Sequence, residues 1–151
     1  MEKNYKRSVF DQITKYLGGN DIVVLHGARQ VGKTSILQYL QNYLKKAGEP
    51  VHYIDLEDSR LVTILDEGVE AFLNYLEEEG LGINNTLYVL IDEIQYLANP
   101  SSFLKLVADH HKPIRLIVSG SSSFNIKTKF KDSLAGRTVN FEIYPLSFEE
   151  F

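Results

Sequence analysis

Residues 22–34 read Ile22-Val23-Val24-Leu25-His26-Gly27-Ala28-Arg29-Gln30-Val31-Gly32-Lys33-Thr34, an apolar run that passes through a glycine-bounded turn into a lysine and a threonine. The first four residues are mostly β-branched and uninterrupted by polar ones, the pattern of a strand buried on both faces. From Lys33 to about Ala47, apolar residues recur at Ile36, Leu37, Leu40 and Leu44, a helical spacing that Gly48 and Pro50 close. Strand, glycine turn and helix in that order make residues 27–34 a complete G-x-x-x-x-G-K-[ST] loop in the context its chemistry requires. Gly27 and Gly32 let the backbone turn where a Cβ would obstruct it, so that successive N–H groups converge on phosphate oxygens. Lys33 adds a point charge at the terminal phosphates, and the helix directs its positive end at the same anion. Thr34 offers a hydroxyl to Mg²⁺. Gly27, Ala28, Arg29, Gln30, Val31, Gly32, Lys33, Thr34 and Ser35 are therefore the expected nucleotide-binding residues. At ordinary residue frequencies, chance produces this pattern in such a chain less than about 1% of the time.

Working outward, the kind of apolar periodicity alternates along the chain. Val9, Ile13, Tyr16 and Leu17 recur at helical spacing and stop at Gly18-Gly19. Val51 to Ile54 reads as a second strand, and Leu61 to Glu79 as helix broken near Gly68, with Ala71, Phe72, Tyr75 and Leu76 on one face. Leu87-Tyr88-Val89-Leu90-Ile91 is the strongest strand signal. Asn99-Pro100 offers an N-cap and a first-turn proline leading into Phe103, Leu104, Leu106 and Val107. Ile114–Val118 and Thr138–Ile143 complete the strand set. Five apolar strands separated by helices predict an α/β fold, a doubly wound, mainly parallel five-stranded sheet with helices on both faces. Neither an internal repeat nor a low-complexity segment interrupts it.

The strong strand ends in Asp92-Glu93. Consecutive strand residues point to opposite sides, which gives the two carboxylates different tasks. Asp92, at the carboxyl end where such sheets bind ligands, is placed to hold Mg²⁺ through its water shell. Glu93 is then the group that polarises the water attacking the γ-phosphoryl, with Gln95 near enough in sequence to help position it. A glutamate directly after the metal aspartate favours hydrolysis over transfer to a small acceptor. Ile114–Val118 runs into Ser119-Gly120-Ser121-Ser122-Ser123, where Ser119 or Ser121 is expected to sense the γ-phosphate, the alternative being a Ser/Gly loop. Arg137, beside Gly136 and just before the last strand, is a candidate for neutralising transition-state charge in its own subunit or a neighbour's, or forms an ordinary surface ion pair.

Composition narrows the setting. At 151 residues, 44% hydrophobic and 24% charged, the chain suits one globular domain. It has no cysteine, so a disulfide framework, thiolate metal site and thiol nucleophile are excluded, and a reducing, cytoplasmic location is expected. No run approaches the ~18 apolar residues of a membrane helix, so no membrane partner is expected. The net charge of −4 conceals a division: residues 49–93 hold twelve of the twenty acids and one base, Arg60, while the remainder is at +7. This argues against a uniformly basic nucleic-acid binder. Lys127, Lys129 and Lys131 leave local phosphate contact with nucleic acid open, against a solvated loop. His110-His111 at a helix end lacks the further ligands of a metal site.

The loop at 27–34, Ile91-Asp92-Glu93-Ile94-Gln95, Ser119-Gly120-Ser121-Ser122, Ala135-Gly136-Arg137 and Tyr144-Pro145-Leu146-Ser147-Phe148-Glu149-Glu150 together resemble the prokaryotic AAA-superfamily ATPases, in particular the subgroup whose ATPase domain precedes an uncharacterised C-terminal domain. The resemblance spans nearly the whole chain. It implies a P-loop core whose sensor strand lies between the phosphate-loop (Walker A) and Asp92-Glu93 (Walker B) strands, ATP and Mg²⁺ as ligands, Glu93 as hydrolytic base, and Arg7 near the nucleotide. The sensor of such proteins is often Asn or Thr; here serines stand there. The expected function is Mg²⁺-dependent ATP hydrolysis coupled to a change in a partner domain or subunit. The alternatives are a nucleotide-gated module with negligible turnover alone, and an ATPase stimulated by nucleic acid. Ser147-Phe148-Glu149-Glu150 has the form of a helix-starting capping box, so residues 1–151 are expected to be the N-terminal ATPase core of a longer protein.

Overall fold

The computed structural model describes residues 10–17, 19, 21–27, 32–121 and 138–143. Strands β1 (Ile22–Gly27), β2 (Val51–Asp55), β3 (Leu87–Asp92), β4 (Ile114–Ser121) and β5 (Thr138–Glu142) form one sheet in the order β2-β3-β4-β1-β5. All four pairings are parallel. The serine-ended strand β4 thus lies between β1 and β3, the order that the resemblance implied.

Helices α1 (Lys33–Lys46), α2 (Ser59–Asp66), α3 (Val69–Glu78) and α4 (Pro100–His110) cover the sheet on both faces. The period-two alternation within each strand assigns the faces. Ile22, Val24, Leu87, Val89, Ile91, Leu116 and Val118 pack against Leu65, Phe72 and Leu76 of α2 and α3 and Phe103, Leu104 and Val107 of α4. Their neighbours Val23, Leu25, Leu90 and Ile117 point the other way, onto Leu37, Leu40 and Leu44 of α1 and onto Ile13 and Leu17. Phe72 meets Phe103 edge-on at 5.1 Å. Burying each such side chain contributes about 1.5–3 kcal/mol.

Several element ends differ from the sequence reading, each for an identifiable reason. β1 runs on through His26 and Gly27, and β4 through Ser119-Gly120-Ser121, because Leu25, His26 and Gly27 pair with those three residues and hold them extended. The long helical stretch divides at Gly68 as expected, where a φ of 128° lies outside the range that L side chains adopt with ease. α2 starts two residues early because the Asp58 carboxylate accepts the Arg60 N–H at 3.0 Å and caps it. Asn99 stands at the N-cap of α4 with Pro100 after it, yet its side chain makes no capping bond; its carbonyl accepts the Phe103 N–H, and Asp66 takes the preceding Ala98 N–H. At the chain start, residues 10–14 are helical and 15–17 are turn, so Tyr16 leaves the buried stripe and rests against Phe141.

Candidate functional site

Because every strand runs the same way, Gly27, Asp92 and Ser121 end at one edge of the sheet. Gly27 and Ser121 are register partners, and Ile91, the residue before Asp92, pairs with Val118. The α1 helix leaves from this edge through Gly32, which adopts φ 89° and ψ 19°. No side chain caps the helix and no acidic residue stands in its first turn, so its leading N–H groups and positive end suit an anion. Lys45 and Lys46 balance the dipole at the far end. Thr34 and Ser35 are exposed beside it.

Lys33 follows the glycine and is only 2% exposed. Its ammonium donates to the carbonyls of Gly27 and Gly120, each at 3.1 Å, so it bridges the ends of β1 and β4. Thr34 and Asp92, 58 residues apart, are joined directly: the Thr34 hydroxyl donates to Asp92 Oδ2 at 2.8 Å. These are hard oxygen donors beside an anion-seeking helix end, the set that suits Mg²⁺ held together with substrate phosphates. Among the described residues no group of three or more His, Cys, Asp or Glu forms a self-sufficient metal cage.

Asp92 Oδ1 and Glu93 Oε1 are also committed. Ser119, fully buried, donates to Asp92 Oδ1 and accepts the Glu93 N–H at 3.1 Å, so its hydroxyl proton has one direction to point. Gln95 donates to Glu93 Oε1 at 2.6 Å and accepts the Ser121 N–H at 3.2 Å, which fixes its amide between β3 and β4. Ser119 therefore faces the acidic pair, whereas Ser121 is the last residue of β4. Alternation does not separate the two carboxylates. β3 stops at Asp92, and Glu93 turns out of the strand with φ 63° and ψ 53°.

Glu93 is the only non-glycine with positive φ among the described residues. A left-handed conformation costs an L-residue about 1–2 kcal/mol. Glu93→Gly should accordingly raise the thermal midpoint by about 2–4 °C, since a gain near 1 kcal/mol moves a domain of this size that far. Glu93→Gln, which keeps the Cβ, should not. Calorimetry on both variants checks this, and equal midpoints would show that the turn stores no strain.

Tyr53 escaped sequence reasoning. It lies on β2, and its hydroxyl donates to Asp92 Oδ2 at 2.8 Å. Burial, reinforced by the Asp92 charge, pushes its phenol far above the ordinary tyrosine range, so it stays a donor. A tyrosine in a β-rich stretch carries no signal of this; it becomes informative only when β2 is known to flank β3. Ala28, Arg29, Gln30, Val31, Arg7, Arg137 and the lysines at 127, 129 and 131 lie outside the described residues. Thr138, next to Arg137 in the chain, pairs with Ile22. It thus lies five strand residues, about 16 Å, from Gly27.

An uncharacterized protein of Methanocaldococcus jannaschii is 38% identical over 133 residues, covering 87% of this chain and 28% of that protein. One from Haemophilus influenzae is 26% identical over 149 residues, 97% of this chain and 36% of that protein. The chain therefore spans about a third of the length of these relatives. Solved structures agree in fold at lower identity. AMPPCP-bound DnaA from Aquifex aeolicus superposes with a TM-score of 0.59 at 17% identity, over 91% of this chain and 46% of that one. Caenorhabditis elegans PCH-2 gives 0.61 at 15%, over 93% and 42%. Drosophila ORC bound to DNA gives 0.59 at 18%, over 98% and 95%. The AAA-domain family model matches residues 19–151, which takes in the glycine loop, the acidic pair and all five strands, and the chain belongs to that family.

Proposed function

We propose that this domain binds ATP with Mg²⁺ and hydrolyses it, coupling turnover to a conformational change in a partner domain or subunit. The observation that carries the reading is the 2.8 Å contact between Thr34 of the phosphate loop and Asp92 at the end of β3, beside the buried Lys33. Thr34 and Asp92 are the residues to hold Mg²⁺, which when bound neutralises charge on the β- and γ-phosphoryl oxygens. Residues 27–35 cradle the phosphates, with Lys33 moving its ammonium from the Gly27 and Gly120 carbonyls to phosphate oxygens. Glu93 takes the proton of the attacking water. Ser121, at the end of β4, is the γ-phosphate sensor, and Ser119 is the brace that fixes Asp92 and the Glu93 backbone.

Arg7 is assigned near the nucleotide and Arg137 to transition-state charge. Arg137 would serve its own nucleotide or a neighbour's. The additional length of the relatives supports a further domain as the receiver of the conformational change.

Gln95 provides the test. It orients Glu93 and ties it to Ser121, so Gln95→Ala should lower kcat about tenfold while ATP binding changes less than about twofold. Steady-state phosphate release, with and without EDTA, gives both the parent rate and its metal dependence. A second reading rests on the same bond: if Gln95 withholds Glu93 from water until a partner acts, the domain is a nucleotide-gated switch, and Gln95→Ala would accelerate turnover instead. Absence of EDTA-sensitive phosphate release from both proteins would defeat the ATPase reading for the domain alone.

A further inference from the structure

Asp92 receives more hydrogen bonds than a metal-holding carboxylate needs. A carboxylate offers about four lone-pair directions. Thr34 and Tyr53 occupy two at Oδ2, and Ser119 occupies one at Oδ1. We propose that Tyr53 is a specificity-determining residue of the cation site, denying bidentate contact with Asp92 and so selecting Mg²⁺, which is content with contact through water, over cations that chelate with carboxylate. The inference rests on the Mg²⁺–nucleotide reading above.

The three donors are not equivalent. The Thr34 hydroxyl can keep its proton on Asp92 while turning a lone pair to a cation, so its bond is compatible with loading. Ser119 is fixed by the Glu93 N–H and braces the backbone as well as the carboxylate. Among the described residues, Tyr53 alone contributes a donor to Asp92 from outside the phosphate loop and the two central strands. Its backbone is held by the β2–β3 register, where Tyr53 pairs with Leu90 and Asp55 with Asp92, and its half-buried ring packs against the core cluster that includes Leu90. With three directions filled, one remains. One direction accepts a hydrogen bond from a coordinated water, but it leaves no room for a carboxylate to chelate a bare ion. Mg²⁺ dehydrates reluctantly and keeps several waters, so it loses little by this arrangement. Mn²⁺ and Ca²⁺, which take carboxylate oxygens more readily and in looser geometry, lose a bidentate contact.

Tyr53→Phe removes the hydroxyl and keeps the ring. Binding is measured on the chain loaded with ADP, using Mn²⁺ electron paramagnetic resonance and displacement by Mg²⁺. The variant should raise the Mn²⁺-to-Mg²⁺ affinity ratio about tenfold, the scale of a second-shell change at a metal site. Metal-free ADP affinity should stay within about twofold, because the Tyr53 hydroxyl donates to Asp92, which holds the cation and not the phosphates. Tyr53→Leu, which also lacks the hydroxyl, should shift the ratio the same way and serves if the phenylalanine variant does not fold. An unchanged ratio, in a parent whose Mn²⁺ binding is lost on Asp92→Asn, overturns the role of Tyr53 alone. A parent that binds no Mn²⁺ with ADP overturns the metal site and this inference together.

Discussion

Lys33→Ala should weaken ATP binding about 100-fold to 10,000-fold, because a charge-assisted hydrogen bond contributes about 1.5–3 kcal/mol and the ammonium is placed to make two. The ammonium is already desolvated: Lys33 is 2% exposed and held by the Gly27 and Gly120 carbonyls. Exchanging those two neutral acceptors for phosphate oxygens therefore costs little new burial and gains full charge. Alanine removes the charge and also leaves the Gly27 and Gly120 carbonyls without this donor, so a modest loss of stability should accompany the loss of affinity. Fluorescent-nucleotide titration reads the first and thermal melting the second. Affinity within about threefold of the parent would exclude Lys33 from phosphate contact.

Glu93→Gln should behave in the opposite manner, keeping ATP affinity while lowering turnover about 100-fold to 10,000-fold, the range of general-base catalysis. Glutamine is nearly isosteric and can accept the same Gln95 amide through its carbonyl oxygen, so the loop geometry and the left-handed backbone at residue 93 persist. What is lost is the capacity to take a proton. Single-turnover phosphate release against equilibrium binding separates the two quantities. If Glu93→Gln hydrolyses ATP at the parent rate, the base lies elsewhere. Combined with Glu93→Gly, the series distinguishes chemistry from strain: both substitutions abolish the carboxylate, and only glycine relieves the backbone.

The strands and helices were readable because their signals are local. Runs such as Ile22–Leu25 and Leu87–Ile91 are buried on both faces and need no partner to be recognised, and Gly48 and Gly68 end their helices by backbone geometry alone. Element ends were less legible wherever a neighbour decided them. Ser119-Gly120-Ser121 resembles a loop in composition and is a strand because β1 pairs with it. The Ala98 N–H, just before α4, is taken by Asp66, 32 residues away in the chain.

The site divides along the same line. The amino-acid sequence by itself determined which residues are the candidates for the chemistry, Gly27 to Ser35, Asp92 and Glu93, because a phosphate cradle needs consecutive N–H groups and a fixed lysine spacing, all within one turn of chain. Only the tertiary structure decided how those groups are held. The parallel order β2-β3-β4-β1-β5 brings Tyr53, Thr34 and Ser119 onto one carboxylate and ties Glu93 through Gln95 to Ser121. Those partners come from four separate stretches of chain, and a hydrogen bond depends on distances of about 3 Å in space, to which separation along the sequence is indifferent.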